Sequence, residues 1–125
     1  MKPKLPPELR SRFRSKVEER YADYLERLRL AGDILQWEYE PETFVLAYDC
    51  RYTPDWLIDF KDKATGRHAE YHATTGWTRD DATVKLKVFA EQVWPYEVYS
   101  VKRVRGAWVK KLVKTVKGEA ARKKK

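Results

Sequence analysis

The run from Asp55 to Lys61 constrains this chain most. Trp56, Ile58 and Phe60 alternate with Asp55, Leu57 and Asp59, which is the period of a strand and not of a helix. Pro54 stands directly before it, where a proline is tolerated at a strand's start. Lys63-Ala64-Thr65-Gly66 predicts a turn, and Arg67 to Thr75 predicts a second strand returning beside the first. Such a pair at the middle of a chain must have its apolar face covered by other elements.

The flanking sequence supplies them. Ser15-Lys16-Val17-Glu18 is a capping-box pattern, with Val17, Tyr21, Tyr24, Leu25 and Leu28 at helical spacing behind it and Gly32 as a stop. This predicts an amphipathic helix from Arg12 to Ala31. Ile34 to Tyr39 and Thr43 to Tyr48 predict strands, joined at Pro41 by a hairpin or a bend. Thr78-Arg79-Asp80-Asp81 offers an N-cap and an acidic first turn. Ala82, Leu86, Phe89, Ala90 and Val93 then mark one helical face, and Pro95 ends it. Tyr96 to Lys102 predicts another strand. Arg105 to Lys117 fits two patterns: the spacing of Val109, Leu112, Val113 and Val116 favours a helix, and its β-branched content favours a strand. The order predicts an α/β domain, a mixed sheet with helices packed on it.

At 125 residues the chain is one domain with room for a core. Its 27 Lys and Arg against 19 Asp and Glu leave a net charge of +8, which favours polyanionic partners through counterion release. The tail from Lys110-Lys111 to Arg122-Lys123-Lys124-Lys125 concentrates that charge, either as a solvated end or as a phosphate contact. A single cysteine, Cys50, excludes an intrachain disulfide and fits a reducing, cytoplasmic setting. No apolar run approaches a membrane span, so no membrane partner is expected.

The chemistry converges on Tyr52-Thr53-Pro54-Asp55-Trp56 and on Ala73-Thr74-Thr75-Gly76. Together with Ser15-Lys16-Val17-Glu18, Trp37-Glu38-Tyr39-Glu40-Pro41 and Trp77-Thr78-Arg79-Asp80-Asp81-Ala82, these segments resemble the PD-(D/E)XK nucleases, in particular the small junction-resolving endonucleases of phages. The resemblance spans Ser15 to about Arg103. It implies a restriction-endonuclease-like fold, a central mixed β-sheet flanked by helices. On it the chain divides into an N-terminal arm (1–11), an endonuclease-like domain (12–104) and a basic C-terminal segment (105–125).

In that family an Asp starts one strand, the next strand carries an acid and a lysine two residues apart, and a helix adds a further Glu around Mg²⁺. Carried over, the resemblance assigns metal binding to Asp55 and Glu18. It expects the strand acid at position 73 and the lysine at position 75, where this chain has Ala73 and Thr75. Glu70 and His72 have suitable chemistry and spacing, but in a regular strand they face away from positions 73 and 75. Only a bulge or shifted register would bring them to Asp55. Otherwise they are exposed positions on a half-buried strand.

Three functions follow. The first is a DNA-binding protein, of phage origin by the resemblance, that holds branched or duplex DNA without cutting it. Arg79, Lys85, Lys87, Arg103, Arg105, Lys110 and Lys111 would then contact phosphates. The second is an active Mg²⁺-dependent endonuclease or Holliday-junction resolvase using Asp55, Glu18, Glu70 and His72; the resemblance implies a homodimer here. The third is an interaction protein that binds a host protein. Elsewhere the residues have plainer uses. His68, His72 and Cys50 form no recognised zinc spacing, Cys50 fills space in a strand, and Asp80-Asp81 cap a helix. Most of the five tryptophans should be core, with Trp77 placed either there or stacked on a base.

Overall fold

The computed structural model describes residues 13, 15–60, 68–74 and 80–123. The arm, the Lys63–Gly66 turn, and Thr75, Trp77 and Arg79 lie outside these residues. The described chain folds as α1 (Lys16–Ala31), β1 (Gln36–Tyr39), β2 (Phe44–Ala47), β3 (Cys50–Tyr52), β4 (Trp56–Phe60) and β5 (His68–Ala73). It continues as α2 (Asp80–Val93), β6 (Glu97–Val104), β7 (Ala107–Leu112) and α3 (Val116–Lys123). This is a mixed α/β fold whose five-stranded sheet runs β1-β4-β5-β6-β7; β2 and β3 form a separate two-stranded ribbon. The pairs β1–β4, β4–β5 and β6–β7 are antiparallel, and β5–β6 is parallel.

The expected helix begins at Lys16. Ser15 is extended, and its Oγ accepts from the Glu18 N–H at 3.2 Å, satisfying one of the free donors of the first turn. Gly32 ends the helix in the left-handed region, at φ 85°, where a side chain would be strained. Helix α1 buries Tyr21, Ala22 and Leu25 against Ile34, Tyr39, Trp56, Ile58 and Val101 on one face of the sheet. Helix α2 buries Phe89 and Ala90 against Tyr71 and Val98 on the other. Two faces need two sets of apolar side chains, and the period-two alternation of β4 provides them: Trp56 and Ile58 turn to α1, Leu57 to α2.

Of the two readings open at Pro41, the structure has the bend and not the hairpin: β1 joins β4 and β2 joins β3, so the strands on either side of Pro41 lie in different sheets. The short strand β3 was not anticipated. The helical preference for Arg105 to Lys117 is wrong as far as Thr115: Ala107–Leu112 form β7, and only Val116 and Lys117 enter α3. Arg105 and Gly106 make a two-residue turn, and the chain returns along β6 from Val104↔Ala107 to Tyr99↔Leu112. The apolar spacing that suggested a helix is not a buried face, since Val109 is 42% and Val116 78% exposed. Trp56 is wholly buried, Trp37 and Trp108 pack at the edge of its cluster, and Trp94 is more exposed. No helix among the described residues is long and apolar enough to cross a membrane.

Candidate functional site

Asp55 sits one step before β4, behind the buried Pro54. Its backbone carbonyl accepts from the Glu40 N–H at 2.8 Å, which extends the β1–β4 ladder and fixes the residue. Its Oδ2 accepts from the Thr74 N–H at 2.9 Å and from the Thr74 hydroxyl at 3.4 Å. The same hydroxyl accepts from the Trp56 indole at 3.2 Å. Asp55 is thus tied to the end of β5. The pairing Trp56↔His72, continued by one residue, sets Asp55 beside Ala73.

Glu18 reaches this end of the sheet from the first turn of α1. Its carboxylate is buried and accepts from the Tyr39 hydroxyl at 3.2 Å. Asp55 feels its charge. Burial raises the Asp55 pKa to about 6, and the negative charges of Glu18 and Glu40 add to this against the Thr74 hydrogen bonds. The structure therefore sets Asp55 within electrostatic reach of Glu18 and Glu40 at one end of the sheet, with Ala73 on the neighbouring strand.

Glu70 and His72 belong to a different place. The β4–β5 pairing runs without a bulge from Trp56↔His72 to Phe60↔His68, so Glu70 and His72 share the α1 face with Ile58 and Trp56. They are not the exposed positions expected from the sequence: Glu70 is 5% and His72 4% exposed. Tyr21 and His72 Nδ1 are 2.6 Å apart. Burial, with the charges of Tyr24 and Glu70, pushes the Tyr21 phenol far up, so the phenol donates and His72 Nδ1 accepts. Burial also lowers the His72 pKa against the opposing pull of Glu70, leaving a neutral ring whose Nε2–H donates to Glu70 Oε1 at 2.9 Å.

Lys110 donates to the same Oε1 at 3.0 Å, and His68 Nε2 meets Oε2 at 2.9 Å. Burial alone would raise the Glu70 pKa, but hydrogen bonds from His72, His68 and Lys110 outweigh it and bring the carboxyl to about 2. The Lys110 ammonium also lies 4.3 Å from the Tyr99 ring centre and 5.5 Å from that of Phe60. Lys110, one of the expected phosphate contacts, thus pairs with a buried carboxylate while its side chain stays 45% exposed. The period-two set His68, Glu70, His72 was visible in the sequence; its partners Tyr21, Glu97 and Lys110 come from distant segments and were not.

The remaining basic candidates among the described residues are exposed. Lys85 and Lys87 lie on α2 and Lys111 on β7, Arg105 sits in the β6–β7 turn, and the Arg103 guanidinium stacks 5.6 Å over Trp108. Because β6 runs parallel to β5 with Ala73↔Ser100, the β6–β7 hairpin extends beyond the sheet at the Asp55 end. Arg103 and Arg105 are carried out on it. Cys50 is free and half-buried. Comparisons with family models, with curated proteins and with solved structures return no match.

Proposed function

We propose that this protein binds DNA on an endonuclease-like fold whose own cleavage chemistry is lost. The observation that carries the reading is the acidic pair at one sheet end, Asp55 with Glu18, beside Ala73. An Asp at a strand start, a helix Glu, and an adjacent strand are the parts that a PD-(D/E)XK site requires. The sheet flanked by α1 and α2 and the hairpin bearing Arg103 and Arg105 past the same end support it further.

Mg²⁺ is commonly held by one or two carboxylates and several waters, so Glu18 and Asp55 fit such an ion. The ion would supply charge stabilisation at a phosphate. What the sequence lacks, at the two positions where the family carries them, is the strand carboxylate and the lysine, which are Ala73 and Thr75 here. Each normally acts on the transition state, where removing one such group costs roughly 10²–10³ in rate. The second reading, an active endonuclease, rests on the retained pair alone.

Incubation with a four-way junction and with duplex, in Mg²⁺ and in Mn²⁺, separates the two. Binding without cutting is expected from the natural chain, and Ala73→Glu with Thr75→Lys should introduce metal-dependent cutting. Cutting by the natural chain that disappears in Asp55→Ala would establish the enzyme reading instead. Absence of binding to either substrate would remove both.

A further inference from the structure

At the opposite end of the same sheet, β5 and β6 begin side by side, and their register pairs Glu70 with Glu97. His68 stands two residues before Glu70 and shares its face. The His68 Nε2 atom is 2.9 Å from Glu70 Oε2 and 3.6 Å from Glu97 Oε1. One ligand atom from each of the three residues falls within 4.8 Å of the others. We propose that His68, Glu70 and Glu97 form a zinc-type divalent metal site that clasps β5 to β6, separate from the acidic pair of Asp55 and Glu18.

The ligand chemistry selects the class of ion. Two carboxylates and an imidazole suit Zn²⁺ or a similar first-row ion, whereas Mg²⁺ prefers oxygen alone and near-ideal octahedral geometry. Zinc bonds of about 2.0–2.2 Å in a tetrahedron put ligand atoms about 3.4 Å apart. The two separations from His68, 2.9 and 3.6 Å, bracket that value, and the Glu70–Glu97 separation lies within 4.8 Å, so an ion would draw the partly exposed Glu97 side chain towards Glu70.

The ligands are also aimed. His72 and Lys110 both hold Glu70 Oε1, which leaves Oε2 turned to His68. The Tyr99 hydroxyl donates to Glu97 Oε1 at 3.1 Å. Such outer partners fix the direction of a carboxylate before metal arrives. Glu70 is buried, while the His68 side chain is 35% and the Glu97 side chain 39% exposed, so an ion has both a rigid ligand and a way in. The Lys110 ammonium lies on the oxygen away from His68. The site leaves open coordination for water. The sequence pattern could not point to it, because Glu97 joins His68 and Glu70 only through the parallel crossover.

The test is titration of metal-stripped protein with Zn²⁺ by calorimetry, with melting temperature as a second readout. One equivalent is expected to bind, millimolar Mg²⁺ should not compete, and melting should shift upward with zinc. His68→Ala and Glu97→Gln should each weaken binding at least tenfold and abolish the melting shift. Glu97→Gln alters a partly exposed side chain, and circular dichroism shows whether each variant is folded. The chain has only two histidines and one cysteine, so background sites are few. No binding by the natural chain, binding unchanged in both folded variants, or displacement by Mg²⁺ would overturn the site.

Discussion

Asp55, half-buried, and Glu70, buried, are two acids on one sheet with opposite electrostatics. Glu70 is surrounded by donors and stays charged far into acid; its contribution to stability is present above the usual carboxylate pKa and lost as pH falls towards about 2. Asp55 is half-buried beside other acids, and its folded pKa of about 6 lies above the ordinary aspartate value. The folded state therefore holds that proton longer than the unfolded chain does, and stability falls as pH rises from about 4 to about 6. Two pKa units correspond to on the order of 2–3 kcal/mol. Asp55→Asn keeps an oxygen for the Thr74 N–H and removes the charge. It should be more stable than the natural chain by roughly 2 kcal/mol at pH 7.5 and gain nothing at pH 4, read by urea unfolding at both. A group that costs stability when charged is typical of a functional site and unusual for a structural one. A loss of stability at pH 7.5 would mean that the charged carboxylate is compensated in the native protein.

Among elements, the β6–β7 hairpin is where local chemistry and the proposed DNA contact pull apart. Arg105 and Gly106 have φ of 50° and 80°, the type I′ geometry in which Asn-Gly is favoured. Arginine carries a Cβ penalty there of about 1 kcal/mol. Arg105→Asn should raise stability by about 0.5–1 kcal/mol in thermal unfolding while weakening DNA binding, because it relieves the turn and removes a projecting charge. Loss of stability, or unchanged binding, would count against the role given to the turn. The same residue explains why β7 was not legible: Arg-Gly is a poor hairpin signal, and Val109, Leu112, Val113 and Val116 imitate a helical face. Helix α1 was legible because Ser15, Tyr21, Leu25 and Gly32 carry its caps and its buried stripe within one segment. So were β4 and β5, whose alternation is local. Strand β3 is three residues long, too short for a period to show. The burial of Glu70 and His72 was hidden for another reason. Their cover comes from Tyr21 on α1 and Lys110 on β7, which only the assembled fold brings together.

For the whole molecule, the distribution of charge matters more than its sum. A net charge of +8 draws any polyanion, but Lys110 is engaged by Glu70, so on the proposed DNA-binding reading the count of cations would overstate the count of phosphate contacts. Among the described residues the exposed candidates are Lys85 and Lys87 on α2, with Arg103, Arg105 and Lys111 on the β6–β7 hairpin. Each phosphate neutralised steepens the fall of log affinity with log salt by about 0.9 on duplex DNA. If all five engage, the slope should be roughly −4 to −5, and Lys85→Ala with Lys87→Ala should reduce its magnitude by about 2. Replacing Lys110 by methionine should change the slope by much less than 0.9, since that ammonium already has a carboxylate partner. Binding measured by fluorescence anisotropy from about 50 to 200 mM salt resolves these differences, because affinity then changes by orders of magnitude. A flat response would separate charge from recognition altogether and favour a protein partner over DNA. A steep response lost with the hairpin arginines but kept without the α2 lysines would instead confine the contact to the Asp55 end of the sheet. The acidic pair would then face the bound phosphates, and a divalent cation should strengthen binding by offsetting its charge.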